Sequence, residues 1–129
     1  MNEEQNNQEI LSQLEQDVIE SFKRISENDV QLFLAKTKER GTEFLSNGIV
    51  GIYFSLKEVF IRIHMLVYEK VKKGEQMEWS KEEIEALHNL LQDNRVFAAL
   101  GEICLERRNW AGDGKFLKAI FGKEFEHDD

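Results

Sequence analysis

From Gly48 to Gly74 the chain reads GIVGIYFSLKEVFIRIHMLVYEKVKKG, a stretch with fifteen apolar or aromatic side chains and no proline. So apolar a run can enter a membrane, fill a core or face a partner. A transmembrane helix needs about twenty consecutive, mainly apolar residues. Here Lys57, Glu58, Arg62 and His64 stand in the middle of the run, which argues against a membrane span. Wound at 3.6 residues per turn, Ser55, Glu58, Arg62, Glu69 and Lys73 fall on one strip, with Glu58 and Arg62 in the favourable i, i+4 order. Ile49, Ile52, Tyr53, Leu56, Val59, Phe60, Ile63, Leu66, Val67 and Val71 occupy the other faces. The expectation is a helix over about 49–73, buried on most of its circumference and central to a bundle. Phe54, Ile61 and Tyr68, seven apart, are more than a small bundle covers and are candidates for a partner surface.

The rest of the chain supports an all-α fold. There is no proline in 129 residues, and the hydrophobic fraction of 41% lies well above that of disordered chains. One domain covering 1–129 is expected. A first helix over about 4–25 carries Leu11, Leu14, Val18, Phe22 and Ile25 as one narrow apolar stripe. That stripe suits packing on the domain, or pairing with a second copy as a homodimer. Around Ser26–Val30 the pattern breaks, and a second helix is expected from about Val30 to Ser46, with Gly41 inside it and Asn47-Gly48 as its stop.

After the Gly48–Gly74 stretch, WSKEEI is the clearest local signal. Ser80 is the N-cap, Glu83 completes a capping box, and Trp79 is placed to staple Ile84. A fourth helix carries Leu87, Leu90 and Leu91, and Asp93 or Asn94 is read as restarting a fifth with Val96, Phe97, Leu100 and Cys104. After the glycine-rich NWAGDGK comes a short last helix bearing Phe116, Leu117, Ile120 and Phe121. The predicted architecture is a compact bundle of five to six helices.

Candidates for chemistry are few. GDGKF lacks the GxxxxGK[ST] spacing of a phosphate loop and any preceding strand, so it reads as a turn. His64, His88 and Cys104 stand at no recognised metal-ligand spacing. No base adjoins Cys104, and no carboxylate pair stands out as acid and base. No catalytic residue, metal or cofactor is therefore assigned, and the expectation is a protein without enzymatic activity. A single cysteine, and no basic segment leading into an apolar one at the start, point to the reducing cytoplasm.

Charge is distributed unevenly. The net charge is −8; residues 1–20 hold six acids and no Lys or Arg, and the tail 124–129 holds four more, which leaves the middle at +2. Such a chain is expected to work by occupying a partner's surface, as an inhibitor, immunity factor or adaptor does, and its acidity steers it toward a basic protein. Trp110 beside Arg107 and Arg108 is the prime anchor, since tryptophan and arginine are enriched at binding hot spots. The bland alternative for Trp110 is a lid over the bundle end. The rival function is a small helical subunit of a nucleic-acid-associated assembly. It rests on Arg95, Arg107, Arg108, Lys115, Lys118 and Lys123 interleaved with Trp110 and Phe116.

Overall fold

The structure, a computed structural model, describes residues 11–73 and 78–122. Four α-helices and one 3-10 turn are seen among the described residues: α1 (Gln13–Arg40), the turn Glu43–Ser46, α2 (Gly48–Lys72), α3 (Lys81–Glu106) and α4 (Lys115–Phe121). The chain divides into two compact units, 1–38 and 39–129.

The first unit is built on α1. Its start is fixed by Ser12, whose Oγ accepts from the Glu15 amide at 3.1 Å and donates to the Glu15 carboxylate. Ser12-Gln13-Leu14-Glu15 thus carries a capping-box spacing of its own. The expected start near Glu4 lies outside the described residues. The break expected at Ser26–Val30 is absent, and the helix runs on to Arg40. Asn28 and Asp29 cost a helix only a few tenths of a kcal/mol each, and without glycine or proline nothing there forces the chain to turn. The stop is Gly41, at φ 63°, rather than Asn47-Gly48. No residue of α1 is buried.

In the second unit α2 and α3 form an antiparallel pair. Lys70 near the end of α2 meets Glu83 near the start of α3 at 2.7 Å, while the amide of Ile49 at the start of α2 reaches Asn109 just beyond α3. Between these ends Ile52, Val59, Val96, Leu100 and Cys104 make the buried core. The helices close tightly where Gly101 faces Ile52, since a Cβ at 101 would sit 3.3 Å from Ile52 Cγ2. The expected restart at Asp93-Asn94 does not occur, and α3 is unbroken. Two fusions therefore bring the expected five or six helices down to the four described.

The WSKEEI reading holds: Ser80 Oγ accepts from the Glu83 amide, and Glu83 Oε1 accepts from the Ser80 amide at 3.0 Å. Lys70 ties this cap to α2, donating to the Glu78 carbonyl at 2.9 Å and lying 5.7 Å from the Trp79 ring centre. Its hydrogen bond to the Glu83 carboxylate, aided by the Ser80 amide, holds that group at about 2, well below its ordinary 4.5. Trp79 thus offers its face to a cation, and Ile84, its expected staple partner, stays largely exposed.

The mostly buried central helix is the expectation that changes most. Only Gly48, Gly51, Ile52 and Val59 of α2 are buried, and Tyr53, Phe60 and Val71, read as core, are exposed, Phe60 at 64%. One neighbouring long helix covers one stripe, whereas burial all round requires neighbours on every side. The Glu58–Arg62 pair forms as expected at 2.6 Å, but with both side chains about two-thirds exposed it contributes little.

Candidate interaction site at the α3–α4 loop

The free amides at the start of α2 would ordinarily seek water, a side-chain cap or an anion. Here the loop following α3 supplies backbone carbonyls instead. Ile49 N–H donates to the Asn109 carbonyl at 3.0 Å and Val50 N–H to the Trp110 carbonyl at 2.9 Å. Asn47, at the cap position, makes no side-chain cap bond.

Asn109 locks this clasp. Its Nδ2 donates to the Leu45 carbonyl at 2.7 Å, its Oδ1 accepts from the Gly112 amide at 2.8 Å, and its own amide returns to the Cys104 carbonyl at 2.8 Å. Asp113 N–H adds a bond to the Ser46 carbonyl. Two glycines allow the approach: a Cβ on Gly112 would fall 1.8 Å from the Ser46 carbonyl oxygen, and one on Gly48 2.8 Å from Asn109 O, both at positive φ. GDGKF is accordingly a turn, closed by Lys115 N–H donating to Asp113 Oδ1.

α3 ends in a doubly bonded reversal, with Arg108 N–H donating to the Leu105 carbonyl and Asn109 N–H to that of Cys104. The left-handed residue that this reversal needs is usually glycine, yet here it is Arg108, at φ 51°. A side chain there costs roughly 1–2 kcal/mol.

The anticipated site residues separate into three places. Arg107, Arg108 and Trp110 come together at this loop; both arginines are exposed, and the indole is 59% exposed. Phe54 is half-buried, edge-on to Phe116 of α4 at 5.5 Å, and so serves to hold α4 on α2. Ile61 and Tyr68 are exposed at 46% and 52%, but they lie eleven and eighteen residues beyond Val50, roughly 16 and 27 Å along the helix.

Among the described residues no three His, Cys, Asp or Glu side chains gather as a metal site. His64 stacks between Phe60 and Tyr68 on α2, while Cys104 is fully buried in the core, where desolvation pushes its thiol above the ordinary value. Arg95 and Lys118, like Arg107, Arg108 and Lys115, are described; Lys123 and the acidic tail 124–129 lie outside the described residues. No helix of the described residues is long and apolar enough to cross a membrane.

The role of Asn109 and the left-handed backbone of Arg108 were not anticipated. Asn109 had a usable signal, an Asn three residues before a Gly in a polar loop; Arg108 had none, because arginine carries no mark of a left-handed backbone. No protein-family model, curated protein sequence or solved structure matches the chain.

Proposed function

We propose that this chain is a non-enzymatic interaction module of the inhibitor, immunity or adaptor type, docking on a partner protein through Trp110 with Arg107 and Arg108 beside it. The observation that carries the proposal is an indole 59% exposed on a backbone that the clasp holds in place. An aromatic anchor that is already ordered loses little conformational freedom on binding, so more of its burial goes into affinity. Arg108 adds weight. A left-handed arginine where glycine would be easier is strain at a surface loop, and such strain gathers at functional positions. The net charge of −8 favours approach by a basic partner at long range, while the arginines give hydrogen-bond donors at the contact.

The test is affinity capture from the native host with the wild-type chain, Trp110→Ala and Arg108→Gly. The expected result is a captured protein lost with Trp110→Ala, by about 2–4 kcal/mol, at an unchanged melting temperature. Arg108→Gly should weaken capture while holding or raising stability. Equal capture by all three chains would overturn the proposal, as would a melting temperature many degrees lower for Trp110→Ala, which would make the indole a lid.

The second reading, a nucleic-acid-associated subunit, is favoured by one observation: Arg107, Arg108, Lys115 and Trp110 are all exposed at this end. Its mark would be captured RNA or DNA and an affinity falling steeply with salt, whereas recognition through a mixed apolar surface changes modestly.

A further inference from the structure

The exposed side of α2 has a pattern that its packing on α3 leaves unused. Tyr53, Lys57, Phe60, His64, Val67 and Val71 recur at spacings of four, three, four, three and four, the period of a two-helix seam. Ile61 and Tyr68 flank the seam on one side. Phe60, His64 and Tyr68 are already stacked into a wall, with ring centres 6.5 and 5.4 Å apart in turn. Phe60, Ile63, His64, Val67, Tyr68 and Val71 line an apolar groove there.

We propose that this face is an isologous dimer interface, in which α2 packs antiparallel on α2 of a second copy and two α2–α3 pairs close into a four-helix bundle. Three arguments select a second copy as the occupant. The first is self-complementarity. With the two-fold axis at residue 62, Tyr53 faces the partner's Val71, Phe60 faces the partner's His64, and Ile61 meets its own copy at the axis. The same pairs recur in reverse, as an isologous contact requires.

The second argument is charge. Lys57 is the one formally charged residue in the seam. Parallel pairing would set it against the partner's Lys57, whereas the antiparallel order sets it beside the partner's Val67, where its stem can lie on apolar surface and its ammonium reach water. The third is area. Tyr53, Phe60, Ile61, Tyr68 and Val71 are each about half to two-thirds exposed, which leaves roughly 500 Å² of apolar surface per copy, most of the about 800 Å² per partner that a stable interface buries. That is also the upper end of what monomers leave open.

The test is the mass of the full chain in solution, by sedimentation or light scattering. Two copies, twice 15.2 kDa, are expected for the wild type. Ile61→Glu should give one copy with its helix signal intact, because the side chain is half exposed within a copy. In an otherwise native chain Ile61→Cys should oxidise to a crosslinked dimer, since Cys104 is fully buried, and Lys57→Cys should not. Should Ile61→Glu fail to fold, this crosslink still decides. A wild type of one copy would overturn the inference, as would crosslinking through Lys57→Cys instead of Ile61→Cys. A dimer that survives Ile61→Glu would also overturn it and move the contact to the apolar stripe of α1. Trp110→Ala should leave the mass at two copies, so failure of the docking proposal and failure of this one read out separately.

Discussion

Replacing Asn109 by alanine tests whether the clasp holds the second unit together. The substitution removes two side-chain hydrogen bonds, Nδ2 to the Leu45 carbonyl at 2.7 Å and Oδ1 from the Gly112 amide at 2.8 Å. Each contributes about 0.5–1.5 kcal/mol net, and the part-buried Leu45 carbonyl keeps no replacement donor, so the expected loss is about 2 kcal/mol. In a unit of this size that lowers the melting temperature by roughly 8 to 15 °C. Helix content alone mixes the two units, so a probe inside the second is needed. Cys104 serves: it is fully buried, its carbonyl accepts the Asn109 amide, and a thiol reagent reaches it only through opening. A loss of 2 kcal/mol should speed its alkylation about 30-fold. Asn109→Asp refines the test, since it keeps an acceptor for Gly112 but turns a carboxylate oxygen toward the Leu45 carbonyl, and it should be at least as damaging at neutral pH. Alkylation and melting within about 0.5 kcal/mol of the wild type for Asn109→Ala, or a wild-type Asn109→Asp, would refute the reasoning.

Ser80→Ala should lower stability by about 1 kcal/mol, because it removes the acceptor of the Glu83 amide while leaving core packing untouched; urea unfolding reads this, and no loss would place the start of α3 elsewhere. Glu83 has its pKa lowered in the fold, chiefly by Lys70, so its contribution is complete above its unfolded value of about 4.5 and is lost as pH falls through about 2. Melting temperatures taken across that window should fall more steeply for the wild type than for Glu83→Gln, and parallel curves would show that the Lys70–Glu83 pair is not linked to folding.

What could be read from the sequence was local. Ser80 and Glu83 announce α3 because both halves of a capping box lie within four residues and need no tertiary partner. The turn at Gly112–Lys115 and the short helix after it were legible for the same reason. Asn28 and Asn94 misled, since a polar residue suited to capping is also tolerated mid-helix, and only the rest of the chain decides between the two. Phe60 misled differently. Hydrophobicity says that a side chain gains from being covered but not that it is covered, and Phe60 is 64% exposed; a pattern apolar on two adjoining sides of α2 does not say which side packs on α3. The clasp was out of reach because Leu45 and Asn109 stand 64 residues apart, and no period or motif links such positions.

The split between backbone and side chain at residue 110 makes the docking proposal separable from the fold. The Trp110 carbonyl accepts the Val50 amide and so helps to satisfy the start of α2, while its indole stands mostly in solvent. Alanine keeps that carbonyl and deletes only the indole, so a loss of binding there reports on contact with the partner. At Asn109, one residue earlier, the side chain itself carries the architecture, and any loss of binding would be confounded with loosening of the loop. Arg108 lies between these cases, its backbone strained by a side chain that the reversal does not need. Glycine at 108 should therefore relax the loop and remove the charge together. Stability that holds or rises while binding falls is a combination that a purely structural role for this loop does not produce.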